Sequence, residues 1–438
     1  MKYTRFFCSL AMAAFAMYGF AQSGTNSPYS QYGFGVLSEP SAGFNKGMGG
    51  VGQAIRKGNL VNPANPASFS AIDSLTFIFD VGMTGQITNF SENGVKKNAK
   101  NADFDYAVAA FRAFRHVGVS FGVQPFSSVG YSYNSTGALN SDQDLNYVNT
   151  YSGSGGLRQA YLGVGWEPLR HVSVGATFAY LWGDLTRTVA NNYANGSGTT
   201  VTTINTLTKQ YRANVSNYRL MFGAQYELPL GKTDRVTVGA TFSPKHNLKS
   251  TPRCEVLSTN TSTGVSNSTT YEVKHGLEQP NMLGAGLSWQ HGSKWLVGLD
   301  YSLQQWGDTS FPVYEVQNET PTYALSSSYF TDRHRVALGG EYCTNPMSRS
   351  FLGRIRYRLG ASYTTPYYKI NGNDGPKEVS VSAGLGIPII NAFNNRSQLN
   401  ISGQWVRQAC SGMLTENSFR LNIGITFNER WFAKWKVE

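Results

Sequence analysis

Asp300 and Glu341 can be cast as a carboxylate pair, the minimal apparatus for general acid and base work on a glycosidic bond. Both fall on the inward faces of expected strands, where acids serve more often as ion-pair partners than as catalysts. Gly231-Lys232-Thr233 resembles the end of a phosphate-binding loop. The first glycine of such a loop would fall at Tyr226, and the segment lies in an expected turn between strands rather than ahead of a helix. The histidines are scattered without H-x-x-x-H pairing. Beyond the leader only Cys254, Cys343 and Cys410 remain, with no C-x-x-C spacing, so neither a metal site nor a complete disulfide framework is expected. His116, His171 and His291 sit at or beside expected turns with no nucleophile placed to pair with them. These residues point to no enzyme, no cofactor and no metal.

The elements that must position the remaining residues are strands. Phe419-Arg420-Leu421-Asn422-Ile423-Gly424-Ile425-Thr426-Phe427 places an apolar residue at every odd number and a polar residue or glycine at every even one. Only an extended chain sends successive side chains to opposite faces in that way. Val379, Val381, Ala383, Leu385 and Ile387 repeat the pattern, as do Trp295, Val297, Leu299, Tyr301 and Leu303. About fourteen such strands are expected, near 74–89, 103–113, 116–133, 156–167, 171–190, 209–229, 235–248, 280–291, 294–305, 329–344, 353–366, 376–388, 396–407 and 417–428. Tight connections at 113–115, 167–170, 229–234 and 292–293 alternate with long polar ones at 134–155, 191–208, 249–279 and 306–328. Outer-membrane barrels sort their connections in this way, with short turns in the periplasm and long loops outside. The stretch 249–279 is long enough for a hairpin turning near Gly264. The fold class expected is therefore an all-β, transmembrane, antiparallel barrel with an N-terminal plug in the lumen.

Composition agrees with that class. The 438 residues include 47 Gly, 25 Tyr, 25 Phe and 8 Trp but only 14% charged residues, with a mean hydropathy of −0.29. Soluble domains rarely join so few charges to so many aromatics, whereas a barrel shows apolar residues to lipid and polar ones to its lumen. The net charge of +11 is dispersed, and an exported chain meets no genome, so no nucleic-acid partner is expected. Export itself is read from Lys2 and Arg5 ahead of the apolar stretch Phe6 to Phe20, with Gly19 and Ala21 at the positions a signal peptidase reads. Residues 1–21 are expected to be the signal, and Cys8 lies inside its apolar run rather than at a lipoprotein cleavage site. No later segment offers the roughly 20 uninterrupted apolar residues of a spanning helix.

Three groups of residues then acquire meaning. Nearly every strand sets glycine inward, among them Gly118, Gly165, Gly175, Gly239, Gly298, Gly339 and Gly360; they either make room for an interior segment and a solute or relieve crowding where the sheet bends. The inward face also leans basic, with Arg219, Arg235, Arg333, Arg335, Arg354, Arg356 and Arg358. Such a field favours an anionic solute, or the arginines pair with Glu227, Asp300, Glu341 and plug carbonyls. Third, Pro125 interrupts strand three, with Phe126, Val129 and Gly130 beyond it. Proline cannot donate to a ladder, and a closed barrel has no edge to hold it, so a bulge or a break in pairing is expected.

Residues 22–73 show no sustained period, yet Tyr29, Tyr32, Phe34, Phe44, Met48 and Ile55 make them too apolar for a disordered tail. They read as a plug within a barrel of residues 74–438. Gly49, Gly50 and Gly52, followed by Asn62, Pro63 and Ala64, resemble the plug of FadL-type outer-membrane transporters, which carry a Gly-rich stretch and an Asn-Pro-Ala motif just before their first strand. The likeness extends over the mature chain and is greatest to the divergent branch in Bacteroidetes. It implies a monomeric barrel in the cell outer membrane, surrounded by outer-membrane lipids, whose plug blocks the axial pore. Fatty-acid-like or other hydrophobic and amphipathic small molecules would then leave sideways at a kinked third strand. The tail Trp431 to Glu438 departs from the family, whose last strand ends on an aromatic. Two other functions fit the same scaffold, a docking or assembly component of a secretion system and a general porin. The plug and Pro125 argue against the open porin. An apolar tunnel between loops 134–155 and 249–279 would favour transport, and a flat apolar extracellular patch would favour docking.

Overall fold

In a computed structural model, which describes residues 24–140, 145–195, 204–389 and 397–430, the alternation at Phe419, Leu421, Ile423 and Phe427 becomes an outward face, 39–55% exposed. Asn422 and Thr426 between them are buried in the interior. The expected signal at residues 1–21 and the tail from Trp431 lie outside the described residues.

Fourteen antiparallel strands close into a barrel. They are β1 (Thr76–Glu92), β2 (Val95–Phe114), β3 (Val117–Asn140), β4 (Leu145–Leu169), β5 (Val172–Asn195), β6 (Thr206–Leu230) and β7 (Asp234–Ser243), then β8 (Met282–His291), β9 (Trp295–Gln304), β10 (Arg333–Tyr342), β11 (Arg356–Thr364), β12 (Lys377–Pro388), β13 (Gln398–Ala409) and β14 (Thr415–Arg430). Each pairs with its sequence neighbours, and β14 pairs with β1 from Thr76↔Arg430 to Ser91↔Thr415, which closes the ring. The outer wall carries Leu162, Phe178, Val238, Leu338, Leu359 and Phe419, each more than half exposed. A Leu or Phe side chain left in water forgoes about 1.5–3 kcal/mol of transfer free energy, so a belt of them calls for hydrocarbon around it.

The strands at the long-loop end run further than the alternation indicates. Most of the expected loop 134–155 is strand, since β3 and β4 stay paired from Val117↔Trp166 up to Asn140↔Leu145. Much of 191–208 likewise belongs to β5 and β6. Above the apolar belt neither face of a strand meets lipid, so the period-2 hydropathy signal disappears while the backbone ladder continues. The stretch 249–279 does contain a hairpin, Arg253–Thr259 with Ser266–Glu272, and Gly264 sits at its turn with φ +71°. Its first arm pairs with Thr206–Arg212 of β6 and so extends the wall.

Residues 24–73 run through the interior. Their helical turns are short (Pro28–Gln31, Gly43–Lys46 and Pro66–Ala71), and Val36–Leu37 forms a two-residue strand. Phe44, Met48, Val51, Ile55 and Phe69 pack with Ile78, Tyr106, Val108 and Leu296 of the wall in one apolar cluster. Tyr29 and Phe34 join Phe126, Val129, Trp306, Phe330 and Tyr367 in another. The inward glycines face this segment closely: a Cβ at Gly175 would stand 2.5 Å from the Pro66 carbonyl carbon and 2.6 Å from the Ala67 nitrogen. Gly118, Gly239, Gly339 and Gly360 likewise face the backbone of Phe69, Gln53 and Met48. Glycine on these faces removes the atom that would collide.

Candidate functional site

The interior segment is held by its own amides as much as by apolar packing. Gly49 and Gly50 take the left-handed backbone, φ +66° and +80°, straight after the helical turn Gly43–Lys46. That turn of the chain presents successive N–H groups to the wall. Gly49 N donates to Ser382 Oγ at 2.9 Å, and Gly52 N and Gln53 N both donate to Asp300 Oδ2, at 2.6 and 2.9 Å. Asp300 is thus an acceptor for backbone amides rather than the ion-pair partner expected of it. Asn62 ties the segment to itself, donating from Nδ2 to the carbonyls of Gly52 (2.7 Å) and Ile55 (3.0 Å) and accepting from Ala64 N (3.2 Å). Asn65 donates to Gln53 O at 2.8 Å and reaches Ala224 O of β6 at 3.2 Å. Pro63 lies buried between these two asparagine clamps.

Ion pairs fix the segment to the wall on several sides. Lys46 meets Asp105 (2.7 Å), Arg56 meets Glu167 (2.6 Å), Lys57 meets Glu341 (2.6 Å), and Glu39 meets Arg333 (2.5 Å). Burial alone pushes the Glu39 carboxyl up, but Arg333 and Arg335 outweigh it and hold the group below its ordinary range. Lys57 shares Glu341 with Arg356 (2.8 Å) and Arg358 (2.7 Å), so three cations face one carboxylate. Burial, reinforced by the two arginines and opposed by Glu341, pushes the Lys57 ammonium down to about 8.

The expected basic face is therefore largely engaged. Arg335 donates to Gly49 O at 2.5 Å, and Arg219 reaches Gln159 Oε1 at 3.3 Å with its guanidinium 5.6 Å from the Phe126 ring centre. Two of the expected inward arginines lie elsewhere. Arg235 is exposed at the rim, and Arg354 belongs to a short helix, Phe351–Arg354, in the turn after β10.

The wall parts at strand three. β2 and β3 are paired from Phe114↔Val117 only as far as Ala107↔Val123. Beyond Val123, β3 keeps its ladder with β4 while β2 keeps its ladder with β1. A register shift between Pro125 and Ser127 marks a bulge, after which inward-facing residues change from even to odd numbers. Phe126 and Val129 are accordingly buried inside, 6% and 0% exposed, and it is their backbone that borders the seam. The interior segment sits in that seam. Val36 pairs with Ser128 and Leu37 with Ser127, Ser38 N donates to Phe126 O at 2.9 Å, and Gly130 N donates to Ser30 Oγ at 3.1 Å. On the opposite bank Asn26 Nδ2 donates to Lys100 O of β2 at 3.0 Å.

Two sizeable cavities border the interior segment. One, of about 190 Å³, lies directly behind the seam and is polar, with Lys46, Asp103, Asp105, Arg335, Glu378 and Arg420 on its walls. The other, of about 210 Å³, lies at the long-loop end and is aromatic, formed by Tyr32 of the interior segment with Tyr131, Tyr211, Tyr314, Tyr323 and Tyr329. Arg187 borders it, its guanidinium 5.6 Å from the centre of the Phe311 ring and bonded to Gly33 O. Phe311 and Tyr314 come from a hairpin, Phe311–Gln317 with Thr320–Ser326, inside the expected loop 306–328. Sequence reasoning singled out Pro125 and the Gly and Asn residues, but not the aromatic cavity, the Val36–Leu37 strap, or Glu39, Lys46 and Lys57. The density of tyrosine between Tyr314 and Tyr368 was the available signal for the first of these.

A family model described as BamG matches residues 3–438. The toluene transporter TodX of Pseudomonas putida shares 15% identity at a TM-score of 0.60, over 90% of this chain and 100% of that one. The toluene transporter TbuX of Ralstonia pickettii shares 14% at 0.58, over 90% and 99%. A FadL homologue of Pseudomonas aeruginosa shares 10% at 0.59, over 90% and 99%. At these identities the likeness is one of barrel architecture. No curated protein matches the chain in sequence.

Proposed function

The chain belongs to the BamG family, and on that premise we propose that it is a single-chain outer-membrane barrel for passive uptake of hydrophobic or amphipathic small molecules. The observation that carries this reading is the aromatic cavity of about 210 Å³ at the long-loop end, concave rather than flat. A solute captured there finds the axial path filled by residues 24–73, and the parting of β2 from β3 above Val123 offers a way through the wall. On this reading Val36–Leu37 is displaced from Ser127 and Ser128 as the solute leaves for the bilayer. The solved transporters of like architecture named for toluene support a small apolar solute, and a fatty-acid-like amphiphile fits the same apolar entrance.

The test is uptake of radiolabelled toluene and of oleate into vesicles carrying the full chain. Tyr211→Ala with Tyr323→Ala should lower uptake of the true solute, and a Val36→Cys/Ser128→Cys disulfide should block it until reductant is added. Uptake equal to that of empty vesicles for both solutes would remove the transport reading. The polar lining of the cavity behind the seam favours the second reading, a docking or assembly barrel that conducts nothing. That reading predicts the empty-vesicle result together with an intact, folded protein.

A further inference from the structure

The connections at the tight-turn end are mostly minimal, turning at His116, His171, Gly231 and Gly292. The connection from β10 to β11 is different. It runs from Cys343 to Ile355 and contains the helical turn Phe351–Arg354. Met347 is 84% exposed, Leu352 65% and Phe351 48%, so three large apolar side chains project from one short connection. The segment is nonetheless firmly built. Cys343 is fully buried, its N–H donates to Lys294 O at 2.8 Å, and Asn345 N donates to Gly353 O at 3.0 Å across the turn.

Its position sets it against the outer wall. Tyr357 points outward from β11, and its hydroxyl donates to Leu352 O at 3.3 Å, which holds the helical turn under the outer wall rather than under the lumen. Trp295 and Tyr342, on β9 and β10, pack beside it with ring centres 4.5 Å apart and planes tilted by 46°. Together with Tyr357 they form the kind of aromatic girdle found where hydrocarbon gives way to headgroups. Above the girdle the outer wall continues apolar through Leu338 and Leu359. The exposed side chains are thus continuous with the lipid-facing belt. The connection also carries Arg349 and Arg354 and no acidic residue. Apolar side chains beside arginines, at the level of a girdle, match the surface of an anionic phospholipid leaflet.

We propose that the turn Cys343–Ile355 is an interfacial anchor, seating Met347, Phe351 and Leu352 at the headgroup and acyl boundary of the periplasmic leaflet while Arg349 and Arg354 bind anionic phospholipid headgroups. The proposal rests on the reading that the barrel spans a membrane with its tight turns in the periplasm, so the experiment separates the two. A fluorophore is attached at Met347→Cys in a Cys410→Ser background and, separately, at Leu338→Cys in the apolar belt. The full chain is reconstituted in vesicles of phosphatidylethanolamine and phosphatidylglycerol. Lipids carrying a spin label at the headgroup, the upper acyl chain or the chain end serve as quenchers, with aqueous iodide as the counterpart.

At Leu338 quenching from the chain end is expected, and at Met347 quenching from the headgroup and upper acyl positions with loss of iodide quenching. Leaving out phosphatidylglycerol should return iodide access at Met347, and Arg349→Glu should do the same in its presence. Quenching at Met347 by iodide alone, with Leu338 still quenched by lipid, overturns the anchor and leaves the spanning reading intact. Quenching of neither site by lipid overturns the spanning reading itself. Shielding at Met347 that vanishes on dilution of protein in lipid means a second copy covers the turn, and this too overturns the proposal. Indifference to phosphatidylglycerol overturns the role of the arginines.

Discussion

Lys57 and Glu341 stand 2.6 Å apart at the boundary between the interior segment and the wall, in a cluster that Arg356 and Arg358 complete. The carboxylate pairs with all three cations, and it is 3% exposed. Glu341→Gln should therefore destabilise the barrel by about 3–5 kcal/mol, because removing one partner of a buried pair leaves the others charged and unpaired. Lys57→Met should cost much less, since Glu341 keeps both arginines. Heat-dependent mobility on denaturing gels reads both values, and equal losses would show that the cluster is not organised around Glu341.

The same lysine predicts a pH dependence. Its folded value of about 8 lies below the ordinary lysine value near 10.5. Between these the unfolded chain binds a proton that the folded chain has released, so stability should rise as pH goes from about 8 to about 10.5. Below 8 both states are protonated, and the full penalty of the buried ammonium is present. The wild type should gain on Lys57→Met across that window in matched unfolding curves. Parallel curves would place the titration elsewhere.

Gly175→Val should displace the interior segment, since the added carbon meets the Pro66 and Ala67 backbone, which cannot rotate away. Overpacking of this kind costs about 1–3 kcal/mol. It should also admit bulky antibiotics that the wild type excludes. Gly403→Ala is the control: it faces outward, and the nearest atom to its new Cβ would be Phe419 Cζ at 3.4 Å. Antibiotic sensitivity unchanged in Gly175→Val would mean that this segment does not limit the pore.

Pro125→Val supplies the N–H that the seam lacks. With a donor at this position β3 can extend its ladder toward β2, and uptake of the transported solute should fall while the folded yield is unchanged. Unaltered uptake would leave wall exit without support at this bulge.

The fold was legible wherever lipid and lumen impose opposite demands on successive residues. Phe419 to Phe427 is the clearest case, and every strand of the belt follows from the same rule. Legibility ended where those demands ended. The upper part of β4 carries Tyr147, Asn149 and Tyr151 with no lipid to sort them, so it reads as loop. Arg354 reads as strand because the apolar positions around it keep step with β11, although the chain there is still in the helical turn that precedes that strand. The candidate site was legible as Pro125, the glycines and the asparagines, each of which acts through its own backbone. Its partners were not, because the contacts of Val36 with Ser128 and of Lys57 with Glu341 join residues remote in sequence. No local pattern encodes such a pairing.

The two amides that Asp300 accepts have a consequence for biogenesis. Gly52 and Gln53 lie ahead of every strand of the barrel wall, yet their acceptor arrives with β9, and Ser382, which takes the Gly49 amide, arrives only with β12. Until then those amides must stay hydrated. Sealing the ring first would leave a narrow lumen into which some fifty residues would have to be fed and then desolvated one clamp at a time. An order in which the sheet curls round its own leading end, with the union of β14 and β1 as the last step, would meet that demand, the seam acting as a latch that fastens over a cargo already in place.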